Sequence, residues 1–325
     1  MLSLCLKESV EQSFRIHGQE MEEETMTGTE GEEIADFSSL PEGVIANILS
    51  LTGPSDACRS STVSRAFHAA AQSDIVWDRF LPTDWYDLIC RRKPSDLNID
   101  PISSSKKEIF FSLCDNPLLT DDGKKLSFSL DKWSGKKCIM LGARDLSIVW
   151  GDTSVYWTWE SHPESRFAEV VVILKVWWLE IRGKISSGML SPATTYAAYF
   201  VFRMRERRYY GFNIDPVDAM VGIVGSEYCM KSVCLDPYLD DPHQRRRRVP
   251  RAGNNLPENM SGLEQPRERD DGWFETELGE FHIDGGDDEV EMILKEVKCN
   301  DSKRVLVVQG IQIRPKVNST LHFHR

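Results

Sequence analysis

The chain has 325 residues, 41% of them hydrophobic, and a formal net charge of −12 at pH 7. That length suits two domains with some tail, and the acidic balance argues against a protein that binds nucleic acid as a whole. No apolar run reaches the roughly 20 residues of a membrane span; the longest, residues 170–179, is broken by Lys175. The N-terminal MLSLCLKESVEQSFRIHG has a short apolar patch but no basic leader, so no secretory signal is expected. Eight scattered cysteines form no Cys-x-x-Cys motif, and Cys229 and Cys234 lack nearby histidines. Reduced thiols of the cytosol or nucleus are expected, without disulfides or zinc, and the glycosylation-like triplets at Asn259, Asn300 and Asn318 are then chance matches.

Residues 1–35 are polar and end in EMEEETMTGTEGEEIA, a composition too poor in apolar surface to order itself. From residue 36 the character changes. Ser39-Leu40-Pro41-Glu42 has capping-box spacing, with proline tolerated in the first turn. Val44, Ile45, Ile48 and Leu49 repeat at helical spacing until Gly53-Pro54 stops them. A second helix, capped by Ser55 or Asp56, carries Ala57, Val63, Ala66, Phe67 and Ala70. A third, starting at Ser73 or Asp74, carries Ile75, Val76, Trp77 and Phe80. Three short helices cannot bury all this surface among themselves. Either they pack on a neighbouring domain or the leftover apolar face docks a partner protein.

Leu40-Pro41, the Ile45…Ile48-Leu49 spacing, the Cys58…Val63-Ser64…Phe67 segment and the closing Trp77…Phe80 resemble an F-box over residues 36–81. The resemblance implies binding to the Skp-type adaptor, and through it to the cullin, of a cullin–RING (SCF-type) ubiquitin ligase. By position, the contact residues it implies are Leu40, Pro41, Ile45, Ile48, Leu49 and Val63, with Trp77 and Phe80 structural.

Residues 82–124 read as a helical connector, with a helix over KKEIFFSLC and turns at Pro117 and Asp121-Asp122-Gly123. From Lys125 the apolar period becomes two. Strands are expected at 125–131, 137–141, 146–150, 157–159, 170–182, 195–204, 272–283, 289–298 and 303–314. In the strand over 170–182, Trp177, Leu179 and Ile181 are expected to face inward and Trp178, Glu180 and Arg182 outward. Repeated strands with turn punctuation and no intervening long helix point to an antiparallel sandwich or jelly roll. The expected fold class is α+β and multidomain: a three-helix F-box, then a jelly-roll-like antiparallel β-sandwich over 125–314, with a frayed tail over 315–325. A long exposed loop is expected at 236–271, and its Arg245–Arg248 run with Arg251 is either a solvated charge run or a nuclear-import or anion patch.

The stretch GARDLSIVWGDTSVYWTWE sets four aromatics beside a polar turn. They are core residues, or one or two of them sit at strand ends where a flat ring stacks on a ligand. This stretch, then VWWLEIRGKI, TTYAAYFVF, DGWFETELGEF and DDEVEMILKEVK, occur in the order of the phloem-lectin family, whose domain is known from the tobacco lectin Nictaba. The chain thus resembles the plant phloem-protein-two-like F-box group. That implies a cytosolic or nuclear protein binding N-acetylglucosamine oligomers and N-glycan cores, and a substrate receptor that recruits glycoproteins. Trp150, Trp157, Glu289 and Glu296 fall on the family's sugar-binding positions, with Trp159 left for the core. Glu289 and Glu296 are seven apart and on one straight strand would face opposite sides. They share a pocket only if a bulge intervenes or Glu289 lies in the loop after Gly285-Gly286. Two other readings stay open: a receptor that reads protein surfaces, and a free cytosolic or nuclear lectin or structural phloem protein without a ligase role. Paired carboxylates such as Glu289 and Glu291 invite a glycosidase reading. With no Ser-His-Asp order, phosphate loop or metal cluster, and with His322 and His324 isolated in the tail, no catalytic residue, metal or cofactor is expected.

Overall fold

The computed structural model describes residues 40–90, 100–119, 125–205, 211–212, 214–239, 258–298 and 301–316. The acidic tail, Ser39, residues 240–257 of the 236–271 loop with Arg245–Arg248, and the last nine residues lie outside the described residues.

The helical segment comprises α1 (Glu42–Ser50), α2 (Pro54–Ser60), α3 (Arg65–Ala70), α4 (Asp74–Phe80), α5 (Trp85–Cys90) and α6 (Lys106–Asp115). The stretch expected to form three helices therefore holds four. Pro41 is the N-cap of α1 and makes no side-chain cap, while Ser39 of the expected capping box lies outside the described residues. Gly53, not Ser55 or Asp56, is the N-cap of α2. Ser64 breaks the expected second helix in two. Its hydroxyl accepts from the Phe67 N–H and starts α3, which leaves Val63 in a turn. Ser73 caps α4 in the same way. The segment closes around Trp77, which is fully buried and donates its indole N–H to the Ala71 carbonyl at 2.7 Å. Phe80, Phe110 and Phe111 ring it with centroids 5.2–5.7 Å away.

The strands are β1 (Leu118–Leu119), β2 (Leu126–Leu130), β3 (Lys137–Gly142), β4 (Ser147–Ile148), β5 (Trp157–Glu160), β6 (Val170–Ile173), β7 (Leu179–Ser186), β8 (Thr194–Met204), β9 (Val217–Ile223), β10 (Cys229–Val233), β11 (Arg267–Glu268), β12 (Phe274–Ile283), β13 (Glu289–Glu296) and β14 (Leu306–Pro315). Among the described residues every strand pairing is antiparallel. One sheet runs β1-β2-β3-β14-β8-β12-β11, with β6 also on β14 and β5 on β6; the other runs β10-β9-β13-β7-β4. β9 and β10 were not expected from the sequence. The expected strand over 170–182 is two strands, β6 in the first sheet and β7 in the second, and the chain crosses between sheets through residues 174–178.

The sheets face each other closely. A Cβ on Gly183 of β7 would stand 3.1 Å from Leu141 of β3 and 3.3 Å from Ile311 of β14. Tyr196, Phe200 and Phe202 of β8 and Ile181, Met292 and Leu294 of the other sheet are fully buried. Each such side chain contributes about 1.5–3 kcal/mol by leaving water. The other face of the larger sheet is also covered: Met140, Phe167, Val170, Val172, Val201, Trp273 and Val307 form a second core. The segment between β5 and β6 closes over it, and Trp273 donates its N–H to the Glu164 carbonyl at 2.9 Å.

The two halves are joined by the β2–β3 turn. Asp131 folds it by accepting from the Ser134 and Trp133 amides. Gly135, at φ +71°, lets it close against α2 and α4: a Cβ there would stand 3.3 Å from both the Phe80 carbonyl oxygen and the Pro54 ring. Lys137 adds an ion pair to Asp84 at 3.3 Å. Among the described residues no helix is long and apolar enough to cross a membrane.

Candidate functional site

β4 pairs with the edge of β7 for only two residues before the chain turns. The Gly151 amide returns to the Ile148 carbonyl at 3.0 Å, and the Thr153 amide to the Trp150 carbonyl at 2.9 Å. Trp150 is left-handed, with φ +56°. For a residue with a bulky side chain that costs about 1–2 kcal/mol, so its neighbours must hold it. They do so from both sides. Trp157 donates its indole N–H to the Val149 carbonyl at 3.2 Å, and Trp159 donates to the Gly151 carbonyl at 3.1 Å. The two indoles are two residues apart on β5, and the two carbonyls they grip are two residues apart on the turn. Gly151 is needed as well, since a Cβ there would meet the Ile148 Cβ at 3.0 Å.

The turn presents Trp150 with 50% of its surface exposed. Its ring lies 5.5 Å from Tyr156 and 6.4 Å from Trp178, tilted 39° and 66° to them. Trp178 stands at the start of β7 and is 41% exposed. It donates its N–H to Glu180 Oε2 at 2.9 Å. Arg182 forks onto Glu180 Oε1 at 2.9 and 2.5 Å, and Lys295 lies 3.8 Å from the same carboxylate and 5.6 Å from the Trp178 ring. The Arg182 hydrogen bonds hold the Glu180 carboxyl below its ordinary value against the opposing effect of burial, and the Trp178 N–H adds to them. The Val149 amide donates to the Glu180 carbonyl at 3.1 Å, so both aromatic corners hang on one residue.

The result is an open corner of two indoles and a phenol with two cations and a tied carboxylate at its edge. Flat apolar faces suit the C–H faces of a sugar ring, and the edge groups suit hydroxyl or acetamide oxygens.

The residues expected at the sugar site divide. Trp150 is in the corner. Trp157 is not: it is 1% exposed, so it offers no face to a ligand and braces the turn from beneath. Trp159, assigned to the core from sequence, is half-buried, with the Arg144 guanidinium stacked 3.6 Å from its ring. Glu289 and Glu296 occupy the two ends of β13, paired to Ser186 and Leu179 in an unbroken register. Without a bulge, seven residues of strand separate them by about 23 Å, so they do not share a pocket. Glu289 is exposed and pairs with Lys184 at 2.6 Å. Glu296 is buried against Lys303. Trp178, the partner that sequence reading missed, was set on the outward face, but on a continuous strand. Trp177, expected inward, is exposed beneath the Lys175 ammonium.

On the helical segment, Pro41 is exposed, Leu40 and Ile48 are half-buried and Val63 is 60% exposed. Ile45 and Leu49 are buried in the helix packing, so they shape the surface from within and do not present it. Val44, Leu51 and Ile75 are exposed apolar side chains outside the contact set expected from the sequence, Leu51 at 67%. Among the described residues no group of three or more His, Cys, Asp or Glu gathers that could hold a metal ion.

The family pattern described as Phloem protein 2 matches residues 136–315, and the F-box-like pattern matches residues 37–83. The F-box protein PP2-B10 of Arabidopsis thaliana is 44% identical over 286 residues, 87% of this chain and 95% of that protein. The Arabidopsis F-box protein PP2-B1 is 40% identical over 311 residues, covering 86% and 90%. The Arabidopsis F-box protein SKIP3 is 41% identical over 283 residues, covering 86% and 88%.

Proposed function

The chain belongs to the plant F-box proteins that carry a phloem protein 2 domain, and from that membership we propose that it is a non-catalytic substrate receptor of a cullin–RING ubiquitin ligase. The F-box engages the Skp-type adaptor through the exposed apolar side chains of α1 and its neighbours, Pro41, Val44, Leu51 and Val63, with half-buried Ile48 beside them. The sandwich recruits targets by their N-acetylglucosamine-containing glycans at Trp150, Tyr156 and Trp178. The proposed compartment is the cytoplasm or nucleus, where scattered cysteines outside any Cys-x-x-Cys motif stay reduced.

The observation that carries the reading is the Trp150–Trp178 corner. Two large apolar rings stand half in water at the cost of a left-handed backbone, and strain of that kind concentrates at functional sites. A glycan array on the full-length protein tests it. Binding to chitin oligomers or N-glycan cores that disappears in Trp178→Ala supports the reading; a blank array on folded wild-type protein removes the sugar as the ligand. Co-purification of the adaptor tests the other arm. Failure of the wild-type chain to retain it would leave a free lectin or phloem structural protein.

A further inference from the structure

Lys303 has no exposed side-chain surface and Glu296 almost none, and the two form an ion pair. Burying both charges is unfavourable, and apolar side chains of similar volume often hold a fold as well or better. What the pair does locally is therefore informative. The Lys303 ammonium also donates to the Trp177 carbonyl at 3.3 Å. Its backbone exchanges hydrogen bonds with Val176, N–H to carbonyl at 2.6 Å and carbonyl to N–H at 3.0 Å. Glu296 accepts the Lys298 amide on its other oxygen at 2.8 Å, which fixes the carboxylate at the end of β13. Residues 174–178 belong to neither flanking strand, and Val176 makes only an isolated bridge, to Lys303. The peptide from which Trp178 departs is thus set by the ammonium on the Trp177 carbonyl.

We propose that Glu296 and Lys303 are positioning residues for Trp178: Glu296 orients Lys303, and Lys303 fixes the Trp177–Trp178 peptide so that the indole stands against Trp150. Glu296 therefore serves the site without touching its ligand. The ligand-binding part rests on the carbohydrate reading above; the geometric part does not.

The test uses full-length protein labelled with 5-fluorotryptophan, with the Trp178 signal assigned through Trp178→Phe. In Glu296→Met/Lys303→Met the apolar pair fills the space and the carbonyl loses its donor. The Trp178 fluorine signal should shift and broaden while that of Trp77, in the helical segment, stays put. Affinity for a chitin trisaccharide should fall by about five- to tenfold, the loss expected for one hydrogen bond. Glu296→Gln, which keeps a hydrogen bond and drops the charge, should move the signal less and in the same direction. An unmoved Trp178 signal in the folded double variant overturns the proposal, and so does undiminished affinity. If both variants unfold, the pair serves the fold and not the site, and the proposal falls. If wild-type protein ignores the trisaccharide, the carbohydrate reading fails on its own and the fluorine spectrum alone decides the geometry.

Discussion

Trp178 meets Trp150 edge to face at 6.4 Å, and the carboxylate and carbonyl of Glu180 hold one corner each. Removal of either ring opens the corner, with opposite effects on the backbone. Trp178→Ala deletes an exposed ring and should leave thermal stability within about 1 kcal/mol. Trp150→Gly relieves the left-handed φ, which glycine adopts without strain, so its melting temperature should match or exceed wild type. Both should lose about 2 kcal/mol or more of glycan-binding free energy, as central aromatic contacts do. Titration calorimetry beside differential scanning calorimetry checks this; weak binding combined with an unfolded Trp150→Gly would contradict it.

Trp157→Ala should behave in the other way. Its ring is buried and its N–H holds the Val149 carbonyl. Deleting it leaves a cavity and should cost about 3–5 kcal/mol of folding stability. Urea unfolding would measure the loss. A variant as stable as wild type that has lost sugar binding would restore Trp157 to the site.

On the helical segment the same division holds between surface and support. Leu51→Asp and Val63→Asp put charge on exposed apolar ground and should abolish adaptor retention with little change in melting temperature. Ile45→Ala and Leu49→Ala should lose it through unfolding, at about 2–5 kcal/mol each. A pull-down with recombinant adaptor, paired with circular dichroism melts, separates the two. Full retention by Leu51→Asp/Val63→Asp would move the contact surface elsewhere.

Stability should fall on the acid side. Burial pushes Glu275 up, but Arg314, at 2.6 and 2.8 Å, and Arg269, at 3.0 Å, outweigh it and hold its carboxyl below the ordinary 4.5. Asp271 and Glu277 are lowered against burial in the same way, by Arg269 and by Lys316 with Lys231. A carboxyl depressed in the folded state stabilises above its unfolded value and loses that contribution as pH falls through the folded one. The melting temperature should thus be flat from neutrality to about pH 5 and drop below about pH 4.5. Glu275→Gln should start lower and decline less steeply; an identical acid slope would remove Glu275 from the account.

The layers and most strands were legible because a two-residue apolar period survives in β2, β8, β12 and β14. β9 was missed: Val217, Ala219 and Val221 do alternate, but behind a proline and with small side chains. The crossing at 174–178 was hidden by composition. Both β6 and the start of β7 are apolar, so VVVILKVWWLEIR reads as one strand although the chain changes sheets within it. That error put Trp177 in the core and kept Trp178 away from Trp150. The burial of Trp157 and Trp159 was read in the wrong order for a related reason. A period of two sets both on one face of β5 but does not say which indole is covered. The Glu289–Glu296 spacing, by contrast, already showed that an unbulged strand would part them.

Gly135 sets the β2–β3 turn directly against Phe80 and Pro54, with no room there for a side chain between helices and sandwich. In the proposed receptor this makes the molecule a ruler. A sugar held at Trp150 and Trp178 stays at a set distance and bearing from the adaptor, so a captured target is offered at one reach. Which of its lysines becomes modified then depends on how far each lies from the bound glycan, and target choice comes from spacing as well as from recognition.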